Sequence, residues 1–177
     1  MLAPTPPQAA GPYLAIGLRP LEGAELVAPG SPGASVIEGR LLDGAGHGVP
    51  DGVVEIWQAD ATGRLPTGGE PFTGYGRSVV GPDGEYRFVT EKPGRLPSPF
   101  GGDQTPHLEV LVDARGLLRA VHTRLYFPDE AEANARDPVL AGVDPARRAT
   151  LVAHPDRDAL RFDIVLQGES ETVFFGR

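Results

Sequence analysis

Glycine and proline interrupt this chain at short intervals, and that limits what it can fold into. There are 24 Gly and 19 Pro among 177 residues. Proline removes a backbone donor and fixes φ, while glycine weakens any helix it sits inside. A protein of long helices does not suit that density; short strands joined by tight turns do. The runs between the interruptions agree. Val53-Val54-Glu55-Ile56-Trp57-Gln58 is β-branched and aromatic, which fits a pleated surface. In residues 107–113, Leu108, Val110 and Val112 point one way, and His107, Glu109 and Leu111 the other.

Strands are expected at 35–43, 53–58, 77–80, 85–90, 107–113, 117–127, 160–166 and 171–175. Roughly eight short strands with turn signals between them predict an all-β protein, a β-sandwich. In Gly81-Pro82-Asp83-Gly84, proline sets φ and Gly84 permits φ > 0, so a hairpin should join 77–80 to 85–90. Ala114-Arg115-Gly116 is another turn, and 22–33 a loop. One or two short helices are expected. An acidic one lies at 129–135, and Asp144-Pro145 reads as a cap and first helical residue leading into 146–152. Residues 1–12, rich in Pro and Ala, form an extended N-terminal arm on a single domain, 1–177.

Charge and composition exclude several functions. Lys+Arg 16 against Asp+Glu 24 leaves a net charge of −8, a field that repels phosphate backbones and argues against nucleic acid. Without cysteine there are no disulfides and no thiolate metal sites. The N-terminus shows no basic segment leading into an apolar one, and no apolar run reaches membrane-spanning length. A cytoplasmic protein is expected.

Few residues are placed to carry chemistry. His107 and Glu109 share a strand face, where two side chains can reach one metal. A lone imidazole is a weak site, however, and a structural strand histidine is the simpler reading. Adding His122 from a neighbouring strand would make a two-His, one-carboxylate set. Arg115 is either a surface turn arginine or a planar cationic fork for a carboxylate or oxyanion. Gly11-Pro12 gives a stiff backbone able to wall a pocket, and Tyr13 a rigid surface with one hydroxyl, or merely an anchor for the arm. Trp57 is expected in the core, and Arg124 and Arg161 in strand-face ion pairs. His47 and His154 read as loop residues, and Asp129-Glu130-Ala131-Glu132 as a solvated helix start.

Segments throughout the chain resemble the intradiol ring-cleaving dioxygenases. They include Gln8-Ala9-Ala10-Gly11-Pro12-Tyr13, Val54-Glu55-Ile56-Trp57-Gln58-Ala59-Asp60, Lys92-Pro93-Gly94, Pro106-His107, Ala114-Arg115-Gly116, Thr123-Arg124-Leu125-Tyr126-Phe127, Arg161-Phe162-Asp163-Ile164 and Leu166-Gln167-Gly168-Glu169, followed by Glu171-Thr172-Val173-Phe174-Phe175. Each piece is weak alone; their order and spacing together are specific. The resemblance is greatest to the α subunits of the family's two-chain members.

That resemblance implies a division of labour. The family's catalytic subunit holds ferric iron with two tyrosinates and a His-x-His pair. Those positions fall here on Leu65, Leu96, His107 and Glu109. Three of the four are not the family's residues, and both anionic oxygen donors a hard ferric ion needs are gone. Tyr75 is nearest in sequence to a lost tyrosine but matches a different family segment. The resemblance therefore implies no metal on this chain and Fe(III) held by a partner β subunit. Gly11, Pro12, Tyr13 and Arg115 would reach that partner's substrate, with Arg115 and Tyr13 aiding catalysis. The pair would open a small aromatic diol with O2, in a higher-order assembly of α–β units. Two rivals stand beside this reading. One is a ligand-binding β-sandwich module with no catalytic partner; the other is an enzyme with its own metal at His107, Glu109 and His122.

Overall fold

The structure is a computed structural model that describes residues 3–98 and 101–176. The arm carries no regular structure over 3–11, as expected; its first two residues lie outside the described part. Helix α1, Tyr13–Leu18, follows. Then come β1 (Ala34–Leu42), β2 (Val53–Trp57), β3 (Tyr75–Val79), β4 (Glu85–Glu91), β5 (Leu96–Pro97), β6 (Asp103–Gln104), β7 (His107–Asp113) and β8 (Val121–Tyr126). Two short helices, α2 (Ala131–Asn134) and α3 (Pro138–Ala141), precede β9 (His154–Asp156), β10 (Ala159–Arg161) and β11 (Ile164–Val165).

Two sheets form the expected sandwich. One is antiparallel in the order β3-β2-β7-β8. The other is built around β1, with β4 antiparallel along one edge and β10 and β11 parallel along the other. Alternation turns Val54, Ile56, Leu108, Val110, Val112 and Leu125 of the first sheet toward Ile37, Leu41, Phe88, Phe162 and Ile164 of the second. Each such side chain contributes about 1.5–3 kcal/mol on full burial. Tyr126, Leu140, Val143 and Leu151 make a smaller cluster beneath α3.

Several sequence expectations are corrected by pairing. The 81–84 turn forms, with Gly84 at φ 86 and the Gly81 N–H donating to the Glu85 carbonyl. It is not a hairpin: β3 pairs with β2, and β4 with β1. The turn arches from one sheet to the other. Alternation buries one face of each strand in the same core either way, so the local pattern does not distinguish arch from hairpin. The 117–127 strand is shorter: residues 117–120 join no ladder, Leu117 packs on the core and Leu118 is exposed. Residues 171–175 make only a single bridge, Phe175 to His122. The 160–166 strand breaks at Phe162-Asp163, where the Asp163 carboxylate accepts from the Arg40 N–H at 2.8 Å. His154, expected in a loop, lies on β9.

The Asp144-Pro145 expectation is met only in part. Asp144 accepts from the Ala146 N–H at 2.9 Å, but only a turn and a 3-10 segment, Arg148–Leu151, follow. Asp137-Pro138 is the pair that opens a helix, with the Asp137 side chain accepting from the Val139 and Leu140 N–H groups. The acidic helix near 129–135 is present as a 3-10 turn, Pro128–Glu130, running into α2. Its start is not merely solvated, since Lys92 reaches Asp129 at 2.7 Å and Glu130 at 2.8 Å.

Gly39 is required by close approach. A Cβ on Gly39 would overlap the carbonyl oxygen of Phe162, which also accepts from the buried Tyr86 hydroxyl. Gly39→Ala is expected to destabilise the fold by about 3 kcal/mol, at the upper end of overpacking costs. Gly17→Ala, where an added methyl meets nothing, is the control expected to hold or raise stability. Urea midpoints for the two variants check this.

Candidate functional site

The sheet face turned away from the core carries the candidate site. In register, Glu109 of β7 lies opposite Trp57 of β2 on one side and Arg124 of β8 on the other. His122 lies opposite Leu111, on the same face. A loop over residues 59–74 and the β5–β6 ribbon cover this face and enclose a cavity of about 430 Å³. Leu65, Leu96, His107 and Glu109 all line it, together with Trp57, Pro66 and Gln104. Four positions spread over 45 residues of sequence thus line one cavity.

Local chemistry holds the walls in place. The Asp60 carboxylate accepts from the Thr62 hydroxyl at 2.6 Å, the Arg64 N–H at 3.0 Å and the Thr62 N–H at 2.9 Å. Those bonds, the Thr62 hydroxyl foremost, lower its pKa to about 2. The Asp60 carbonyl also accepts from the Gly94 N–H at 2.9 Å, tying the loop that bears Leu65 to the segment that bears Leu96. Buried Gln58 donates to the Glu91 carbonyl at 2.8 Å and accepts from the Thr90 hydroxyl at 2.7 Å, closing the floor.

Glu109 is the electrostatic centre. Its carboxylate lies 2.6 Å from Arg124 Nη2, 2.6 Å from His122 Nε2 and 3.3 Å from His107 Nε2. Burial opposes its ionisation, but the hydrogen bonds from His107 and His122 and the Arg124 charge override burial. The carboxyl is held well below the usual carboxylate range. His107 is buried, and its Nδ1 donates to the Thr105 carbonyl at 2.7 Å. Arg124 also donates to Gln104 Oε1 at 2.8 Å and lies 3.4 Å from the Tyr126 hydroxyl.

This donor set does not fit ferric iron. The two leucines have no lone pair to offer. The three groups of the rival metal site do converge, but on each other, and the Arg124 guanidinium already supplies the positive charge. Among the described residues no group of three acidic or His side chains is arranged to hold a metal. Tyr75 is no substitute ligand. Its hydroxyl donates to Glu55 at 2.8 Å, and burial, aided by that carboxylate, raises its pKa to about 12, so the phenol stays protonated.

Trp57 was expected in the core and is instead 53% exposed, its ring 4.5 Å from that of Tyr75. Val54 and Ile56 take the core face, so alternation sends Trp57 outward, and that period-2 signal was available in the sequence. Arg124 and Arg161 are ion-paired strand arginines as read, to Glu109 and to Asp163. The roles of Gln104 and Gln58 carried no local signal.

The other candidates lie elsewhere. Gly11, Pro12 and Tyr13 are exposed at the start of α1, and Arg115 is exposed in the turn after β7. None of them lines the cavity. Leu14 and Leu18 pack beside Leu111 and Asp113, and Pro6 and Pro7 line a hollow with residues 116–121. Among the described residues, no helix is long and apolar enough to cross a membrane.

Comparison with known proteins agrees with this geometry. The "Dioxygenase" family matches residues 26–168. The chain is 43% identical to the protocatechuate 3,4-dioxygenase alpha chain of Burkholderia cepacia, covering 98% of each. It is 34% identical to the beta chain from the same organism, over 77% of this chain and 66% of that one. Among solved structures it is similar to the dioxygenase domain of a dioxygenase carbohydrate-binding protein fusion from Streptomyces sp. SirexAA-E. That match has a TM-score of 0.63 and 27% identity, over 85% of this chain and 88% of that one. A fold of two facing sheets, a family match over residues 26–168 and near-full-length similarity lead to one conclusion: the chain belongs to the intradiol dioxygenase family.

Proposed function

We propose that this chain is the non-metal α subunit of a protocatechuate 3,4-dioxygenase. The observation that carries the reading is a full-length α-chain likeness joined to a cavity in which Leu65 and Leu96 stand where metal ligands would be needed. Iron belongs to the family's chemistry, and the residues present here do not fit it. Fe(III) is therefore assigned to a β subunit, the partner in an α–β hetero-oligomer, and this chain is not active alone. The pair opens protocatechuate with O2 to 3-carboxy-cis,cis-muconate, within aromatic catabolism by the β-ketoadipate pathway in the cytoplasm. The rival, a binding module with no catalytic partner, has no observation in its favour.

This chain's own contribution rests on exposed residues outside its cavity. Arg115 supplies a fixed cation with a planar donor fork for the substrate's carboxylate or for an oxyanion. Gly11 and Pro12 wall the substrate with little entropy to lose, and Tyr13 adds a rigid ring and a hydroxyl. The exposure of all four suits residues that complete a neighbour's pocket. In the reconstituted α–β assembly, Arg115→Ala is expected to lower kcat about 100-fold, the scale of losing one charge-stabilising donor. Iron content per pair should not change. Unchanged kinetics would refute the role given to Arg115.

A further inference from the structure

We propose that the cavity beside Trp57 is a binding site for a neutral, monocyclic phenol. Its volume of about 430 Å³ falls in the ~300–1,000 Å³ range of small-molecule sites. Trp57, Leu65, Pro66 and Leu96 supply apolar walls, one of them an indole already braced by Tyr75. Such walls suit a flat ring.

The polar end is built for one hydroxyl. Gln104 and Glu109 both line the cavity, and both are held on the Arg124 guanidinium, at 2.8 Å and 2.6 Å. Gln104 uses its carbonyl oxygen there, which keeps its amide N–H donors available. One oxygen of Glu109 takes a single hydrogen bond, from His122, and a carboxylate oxygen can accept two. A phenolic O–H donates to Glu109 and accepts from Gln104, so one group satisfies both.

Charge sets the selectivity. Among the described residues, no Lys or Arg lines the cavity. Arg124 beneath it is committed to Glu109, Gln104 and Tyr126. A ring bearing a carboxylate would bring a second anion beside Glu109 with no free cation to meet it. An ammonium would find Glu109 already neutralised and would lose its hydration without return. The site thus rejects the carboxylated substrate proposed for the α–β pair, and it needs no partner to form.

Trp57 is the single tryptophan of the chain, so its emission reports the cavity directly. Full-length chain, shown folded by its melting curve, is titrated with phenol and with 4-hydroxybenzoate. Phenol should change Trp57 emission saturably, with half-saturation near 1 mM or below, about 4 kcal/mol of binding. 4-Hydroxybenzoate should bind about tenfold more weakly. Leu96→Phe fills the cavity and should abolish the saturable response. Leu65→Phe, on the covering loop, serves the same purpose if Leu96→Phe does not fold. Equilibrium dialysis on the α–β assembly gives a second count, in which wild type should bind one phenol more per pair than the filled variant. Collisional quenching without saturation, an equal response in the filled variants, or equal binding of 4-hydroxybenzoate would each overturn the proposal.

Discussion

Arg124→Met is expected to destabilise the protein by about 2–3 kcal/mol, below the cost of breaking a fully buried ion pair because both partners are partly exposed. Methionine replaces most of the side chain's length but none of its charge. Glu109 would keep only its contacts to His107 and His122, and the Gln104 carbonyl and Tyr126 hydroxyl would each lose a donor. Urea unfolding of the variant measures the loss. Adding Glu109→Gln to Arg124→Met removes the stranded charge and should recover part of the stability. A loss below 1 kcal/mol would mean that the cluster is solvated and contributes like a surface pair.

The same variant has a pH signature. Glu109 has a folded pKa below its unfolded value. Its contribution is therefore complete above the ordinary carboxylate range and is lost as the pH falls through that range toward the depressed folded value. In Arg124→Met the override of burial is weaker, so the folded pKa rises and the gap narrows. The variant's acid-induced loss between pH 5 and 3 should be shallower than wild type's, read as stability against pH.

Asp137→Ala should cost about 4 kcal/mol, combining a lost helix cap with buried donors left unpaired. The residue is fully buried. Its carboxylate accepts from the Thr105 N–H at 3.0 Å, the Tyr126 hydroxyl at 3.2 Å, and the Val139 and Leu140 N–H groups at 2.9 and 3.0 Å. One side chain thus caps α3 and fixes the start of β7, two residues before His107. Asp137→Asn keeps an acceptor oxygen and should cost about half as much. Hydrogen exchange should quicken at Thr105 and Leu140 together in the alanine variant. Faster exchange at Leu140 alone would mean that Asp137 is only a helix cap.

Local patterns made the sandwich legible. The alternation of 107–113 put His107 and Glu109 on one face and Leu108, Val110 and Val112 in the core, where they are found. The same rule applied to Val54 and Ile56 would have turned Trp57 out of the core. Turn residues were readable as turns, but not which strands they joined: 81–84 looks the same as an arch or a hairpin. The two Asp-Pro pairs also look alike in sequence. Only Asp137 meets Thr105 and Tyr126, and contacts made from a distance decide which cap is kept.

What the sequence by itself determined is whatever a residue carries with it wherever it lies. Leucine at 65 and 96 cannot donate to a metal, proline and glycine limit helices, and period-2 runs choose a face. What only the tertiary structure decided is which faces and ends meet. Strand pairing brings Arg124 and His122 to Glu109, and the 59–74 loop and the β5–β6 ribbon close Leu65 and Leu96 over them. The physical reason is that register and sheet order follow from the burial of the whole core, a sum over residues far apart in the chain. No short window contains that sum.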